Sequence, residues 1–205
     1  VLPLFETADT ETAEAFASYM AENGECDGIL ASGQTEALAA AWETNSALRY
    51  AYLAGEITEE NTVAKVARDT HTGGATIAIL QPNDALDRTA AEYLQLRGIS
   101  VWLNAGEGTD GHNVRAAVDC GANGVTVKDF DEAYALYEMV KESDTVCIRK
   151  TFIVGHRGLP NKAPENSKEG YLEAVEAGAD AIECDVNITK DGVLVSNHNG
   201  SVNGY

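Results

Sequence analysis

The chain has 205 residues, 44% hydrophobic and 23% charged, the balance of an ordinary globular protein long enough for one sizeable core. Its 14 basic residues face 33 acidic ones, a net charge of −19. That field repels nucleic-acid phosphates and anionic membranes, so no nucleic-acid partner is expected. It also repels a phosphodiester unless a metal or a local arginine reverses the sign at the site. The plainer reading of the charge is a solvated acidic surface.

No apolar run approaches the ~18 residues that span a bilayer. The opening VLPLFETADT has no basic residue before an apolar stretch and starts in what reads as a strand. A soluble domain cut from a longer parent is the expectation, secreted or membrane-associated parents included. Four cysteines, Cys26, Cys120, Cys147 and Cys184, form no CxxC pair and no zinc spacing. Each sits in or beside an apolar segment, which predicts buried free thiols.

In chain order, short apolar runs at 2–7, 27–32, 48–53, 75–80, 99–104, 123–127, 151–156 and 180–186 read as strands. Helical spacing fills the intervals at 10–22, 34–45, 58–70, 84–97, 111–119, 130–141 and 166–178. Asn166 followed by Glu169 reads as a capping box for the last helix. Gly98, Gly121 and Gly178 stand where left-handed C-caps are wanted. Eight strands alternating with seven helices predict a parallel α/β fold, and the strand count is that of a (β/α)8 TIM-type barrel. An open doubly wound sheet is the alternative from pattern alone. No GxGxxG follows a strand, which weakens a dinucleotide reading, and HTGGAT at 71–76 reads as a turn.

The chemistry concentrates in FIVGHRGLPNKAPENSKEGYLEAVEAGADAIECDVNITKDGVLVSNHNG. Glu183 and Asp185 are two apart on a predicted strand, so their carboxylates share a side, with Cys184 on the other. At a barrel rim they repel each other unless a cation lies between them, and hard oxygen donors favour Mg²⁺ or Ca²⁺ over Zn²⁺. His156 and Arg157 end the preceding strand, at the rim where barrel catalytic residues gather. NITKDGVLVSNH reads as a hairpin turning at Asp191-Gly192, which returns His198 to that rim. One histidine then takes a proton from the attacking oxygen and the other gives one to the leaving alkoxide. The metal and Arg157 stabilise charge on the phosphoryl oxygens. Singly, each residue has a plainer reading: a polar strand end, a solvated ExD face, a turn at HRG.

In this order the motifs resemble the glycerophosphodiester phosphodiesterase family, whose signature runs HRG, PENT, E-x-D with TKDG, then V-x-HD. The counterparts here are His156-Arg157-Gly158, Pro164-Glu165-Asn166-Ser167, Glu183-Cys184-Asp185, Thr189-Lys190-Asp191-Gly192 and His198-Asn199. The resemblance implies His156 and His198 as the acid/base pair, Arg157 as phosphate ligand, and Glu183 and Asp185 as metal ligands. Glu165 falls in the matching site region, as a substrate-binding candidate. It also implies hydrolysis of a small glycerophosphodiester to glycerol 3-phosphate and an alcohol, with Mg²⁺ or Ca²⁺ as cofactor. Asn199 departs from the family's Asp.

The family's first barrel strand carries HRG, yet here HRG lies near residue 156. The preceding residues resemble the family's strands three to eight in degenerate form. ILASGQTEAL resembles a fourth strand, and AILQPNDALDRTAAEYLQLRGISVWLNAGEG the tryptophan-bearing seventh. GANGVTVKDFDEAYAL resembles the closing segment, with Lys128 and Phe130 where an acid and a proline are expected. The expected organisation is therefore one circularly permuted barrel over 1–205, with 1–145 supplying strands three to eight and 151–205 strands one and two. A segment spanning two domains of a tandem protein is the competing organisation, and both hold if barrels close across the apparent boundary. The missing helix after strand two would leave a patch for self-association or a neighbouring tandem domain. Glu6, of the parity of Leu2 and Leu4, is the candidate third carboxylate ligand. It stands against two other readings, occupation of the family's lysine place and a solvated strand end. Trp102 is a candidate for the substrate pocket, against a strand-packing role. The rivals to an enzyme of this type are a noncatalytic family relative serving as a binding or structural module, and a different phosphate-binding barrel such as an isomerase.

Overall fold

The computed structural model describes residues 3–24, 27–104, 110–127, 130–141, 153–179 and 181–199. They fall into two compact units, Val1–Arg149 and Lys150–Tyr205. The first contains β1 (Leu4–Glu6), α1 (Thr10–Glu22), β2 (Ile29–Ser32), α2 (Thr35–Thr44), β3 (Arg49–Gly55) and α3 (Val63–Thr72). It continues with β4 (Ile77–Leu80), α4 (Arg88–Gln95), β5 (Ser100–Asn104), α5 (Asp110–Cys120), β6 (Gly124–Thr126) and α6 (Phe130–Lys141). The second contains β7 (Val154–His156), α7 (Lys168–Glu176), β8 (Ala181–Glu183), β9 (Val186–Ile188) and β10 (Leu194–Ser196). Every predicted strand and helix is present, most within one to three residues of its expected ends. The largest shift is at α3, which starts at Val63 because Thr62 caps it by accepting from Lys65 N.

In the first unit β1 to β6 lie side by side in chain order, and every neighbouring pair is parallel. A doubly wound sheet reverses its order at a switch point and carries helices on both faces. Here the helices gather on one face. Leu30, Tyr50, Ala78, Leu80, Val101 and Leu103 share a core with Ala17, Leu38, Val66, Leu94 and Cys120 from α1 to α5. The opposite parity, Leu4, Ile29, Ala31, Ala51, Leu53, Ile77, Ile79 and Trp102, forms a separate apolar cluster. The result is a curled parallel half-barrel sheet, its helices outside and a second apolar face within, as barrel topology requires.

Local chemistry explains the helix starts. Asp9 and Asp87 accept from Thr12 N and Ala90 N, satisfying donors that helix geometry leaves without partners. Gly98, Gly121 and Gly178 take the positive φ expected after helix ends. Cys120 is buried, as predicted, and burial raises its thiol pKa. Cys184 is exposed, contrary to expectation, because it lies just beyond the end of β8. Cys26 and Cys147 lie outside the described residues. Among the described residues no helix is long and apolar enough to cross a membrane.

Tyr50 shows how the outer core is pinned. Its ring is buried in β3, and its hydroxyl lies 2.6 Å from the Asn45 carbonyl and 2.8 Å from that of Ala41, at the end of α2. Burial pushes its pKa up to about 12. A proton held more tightly in the folded state stabilises fully below the unfolded pKa of ~10, and the contribution is lost as pH rises through about 12. Tyr50→Phe is expected to cost about 1–2 kcal/mol at pH 7. It should also flatten the fall in stability above pH 10, read by denaturant unfolding at pH 7 and pH 11. An unchanged alkaline slope in the variant would contradict this assignment.

Candidate active site

The second unit is organised around β7 and β8, which pair in parallel with His156 opposite Glu183. This register puts the two side chains at the C-terminal ends of neighbouring strands, with His156 Nε2 3.9 Å from Glu183 Oε2. The His156 side chain is 73% exposed, accessible to a substrate. After His156 the backbone turns sharply. Arg157 sits at φ 59°, a left-handed conformation uncommon for a non-glycine residue. Its N–H donates to Glu183 Oε2 at 3.1 Å. The turn therefore fixes the carboxylate and aims the guanidinium at once; such backbone outliers concentrate at functional sites.

Glycine makes this turn possible. A Cβ on Gly158, at φ 89°, would lie 2.7 Å from the Gly170 carbonyl carbon in the first turn of α7. Leu159 N donates to Gly170 O at 3.0 Å, locking the turn onto the helix. Asn166 N donates to Arg157 O at 3.0 Å, which carries the PENS segment beside HRG.

The capping box needs correction. Ser167, not Asn166, caps α7, its hydroxyl accepting from Gly170 N. Asn166 takes φ 56° and turns its amide to Asp185. Its Nδ2 donates to Asp185 Oδ2 at 2.9 Å, and its Oδ1 accepts from Asp185 N at 3.0 Å. Asp185 also needs correction: β8 ends at Glu183, so Asp185 is positioned by this two-way clasp and not by strand parity.

Arg157 lies between acids. Its Nη1 is 3.0 Å from Glu165 Oε2 and its Nε 3.3 Å from Asp185 Oδ2, with the side chain only 19% exposed. The buried Nε is not aligned for a hydrogen bond. Glu165, Glu183 and Asp185 against one guanidinium leave a formal local charge of −2, three negative and one positive. A phosphodiester anion is repelled by that balance, whereas a divalent cation cancels it.

The hairpin forms as predicted, with a different turn. Thr189 N donates to Val193 O at 2.9 Å and Gly192 N to Thr189 O at 3.0 Å, so Lys190, Asp191 and Gly192 make a three-residue loop ending in a left-handed glycine. The Thr189 hydroxyl donates to Asp191, and that bond lowers the Asp191 pKa. At the far end Asn197 N donates to Asp185 O at 3.2 Å, delivering the next residue, His198, to the neighbourhood of Asp185. His198 Nδ1 is 3.3 Å from Asn199 Oδ1.

One unit thus holds His156, Arg157, Glu165, Glu183, Asp185 and His198. Glu6 and Trp102 belong to the other. Glu6 has the parity of Leu4 in the inner cluster and lines a depression with Leu53, Ile79, Gln81 and Asn104 at the strands' C-terminal ends. Trp102 packs in that cluster, its Nε1 donating to Ser100 Oγ at 3.0 Å. Among the described residues no three His, Cys, Asp or Glu side chains are assembled for a metal ion. The donor chemistry of Glu183 and Asp185 nonetheless fits two positions of a hard-cation shell.

The family model of the glycerophosphoryl diester phosphodiesterase family matches residues 156–204. Through this segment, the chain is similar to that family. Over 53 residues it is 47% identical to a glycerophosphodiester phosphodiesterase of Caldanaerobacter subterraneus subsp. tengcongensis, covering 26% of this chain and 22% of the relative. A probable glycerophosphodiester phosphodiesterase 1 of Mycobacterium tuberculosis is 43% identical over 56 residues, 27% of this chain and 20% of the relative. A glycerophosphodiester phosphodiesterase of Arabidopsis thaliana is 41% identical over 49 residues, 24% of this chain and 13% of the relative. The chain spans about a fifth of the length of the first two relatives. Sequence reasoning missed Asn166 as a site residue, although it stands inside the PENS motif; the available signal was an asparagine, a residue that tolerates positive φ, beside a second good cap.

Proposed function

We propose that this chain carries a phosphodiesterase site hydrolysing a glycerophosphodiester to glycerol 3-phosphate and an alcohol. The observation that carries the reading is the register of His156 against Glu183, with Arg157 N bound to the same carboxylate. Water attacks phosphorus and the bond to the departing alkoxide breaks. His156 takes the proton of the attacking water, and Glu183, 3.9 Å away, stabilises the imidazolium so formed. His198 gives a proton to the alkoxide. Arg157 faces the phosphoryl oxygens, held in place by Glu165 and Asp185. Glu183 and Asp185 would hold Mg²⁺ or Ca²⁺. When bound, the ion supplies positive charge to the phosphoryl oxygens.

His156→Ala is expected to lower kcat for glycerophosphocholine by about 10²–10⁴-fold, with Mg²⁺ binding by calorimetry retained. Glu183→Gln with Asp185→Asn should abolish that calorimetric signal. A turnover equal to that of the unaltered chain in His156→Ala would sink the enzyme reading.

The second reading, a noncatalytic binding module, draws on Arg157, already engaged by two carboxylates, and on Asn199. Retained phosphodiester binding with no turnover under Mg²⁺ or Ca²⁺ would select it.

A further inference from the structure

The hairpin that delivers His198 gains little from hydrophobic packing. Ile188 and Leu194 are each 70% exposed, and Val186 and Val193 are exposed as well. A two-stranded ribbon without a buried face is marginal by itself, so its position depends on polar tethers. One is Asn197 N to Asp185 O. Another comes from α7: Tyr171 Oη lies 2.7 Å from Ser196 Oγ, two residues before His198, and 3.3 Å from Asn166 Oδ1.

Hydrogen-bond chemistry gives this chain one direction. The Asp185 carboxylate only accepts, so the Asn166 amide must present Nδ2 to it, leaving Oδ1 to face Asp185 N and the Tyr171 hydroxyl. Oδ1 only accepts, so Tyr171 must donate to it. The phenol has a single proton, so Ser196 must donate to Tyr171. A directed line, Ser196 to Tyr171 to Asn166, therefore ends on the residue clasping Asp185.

The geometry points to Tyr171 and Ser196 as a latch that positions His198 against the acidic side of the site. Tyr171 is a positioning residue, acting through the hairpin and not on substrate. The catalytic consequence rests on the phosphodiesterase reading; the latch itself does not.

The test uses the full chain with Tyr171→Phe, Ser196→Ala and both together. Phe keeps the ring and removes only the hydroxyl. Amide hydrogen exchange at Leu194–Ser196 should quicken about tenfold in each single variant, the scale of one hydrogen bond. The double variant should be no faster, because both changes break one contact. On glycerophosphocholine with Mg²⁺, kcat should fall about tenfold with KM within about twofold, since misplacing one group affects the reacting geometry more than binding. Ser196→Thr, which keeps the hydroxyl on a strand, should restore both readouts. Unchanged exchange in Tyr171→Phe, or multiplying effects in the double variant, overturns the latch whatever the turnover. Faster exchange with unaltered kcat overturns the positioning role. Coupled exchange in a chain without turnover upholds the latch and removes only the phosphodiesterase reading.

Discussion

Gly158→Ala is expected to destabilise the second unit by about 3 kcal/mol or more. Two costs combine. A left-handed φ of 89° penalises any residue with a Cβ. The new Cβ would also stand 2.7 Å and 2.8 Å from the carbonyl carbon and oxygen of Gly170. These are backbone atoms of α7, so no rotamer change relieves the overlap. Gly178→Ala is the matched control, because Gly178 has the same φ of 89° and nothing within 4 Å of its would-be Cβ. It should cost only about 1 kcal/mol, the conformational part. Thermal unfolding of both variants by circular dichroism separates the terms, and equal melting temperatures would show that the close approach is unimportant. The consequence for the site is direct: the same turn carries the N–H of Arg157 to Glu183.

Asn166→Asp should be nearly as damaging, for an electrostatic reason. Asp tolerates the φ of 56° at this position, so the backbone is little affected. The change removes the Nδ2 donor and sets a second carboxylate about 3 Å from Asp185. A cost of about 2–3 kcal/mol is expected at pH 7. Two carboxylates so close bind one proton more tightly when folded than when unfolded. Stability is therefore regained as pH falls towards the unfolded carboxylate range of ~4. Denaturant unfolding at pH 7 and pH 4 reads this directly. A gap between variant and unaltered chain that fails to narrow at pH 4 would refute the clasp as the source of the cost.

The elements were legible because each depends on local chemistry. Apolar runs of strand length alternate with helical spacing, and capping residues such as Asp9, Thr62 and Asp87 stand where the helices begin. The hairpin followed from Asp191-Gly192 between apolar strands, although its loop is one residue longer. The half-barrel was less legible. Pattern alone leaves a doubly wound sheet open, because the choice rests on strand order and on which face the helices cover. Parallel neighbours in chain order and a second apolar face on Ile29, Ala51 and Ile79 decide that choice for the first unit.

Within the site, the residue types and their spacing named His156, Arg157, Glu165, Glu183, Asp185 and His198 before any geometry. Side-chain chemistry is carried by the residue itself, so a histidine and two carboxylates at these intervals can be read directly. How they are held is a matter of contacts across the chain. Asn166 and Ser167 are equally good caps, and only Asp185, 19 residues further on, makes Asn166 a clasp and leaves Ser167 the cap. Strand parity would align Glu183 with Asp185, but β8 ends between them, and a left-handed Arg157 supplies the N–H that orients Glu183. The sequence by itself determined which groups are present and in what order along the chain. Only the tertiary structure decided which partner each group meets, because hydrogen bonds between residues 19 or 26 positions apart leave no periodic trace in the chain.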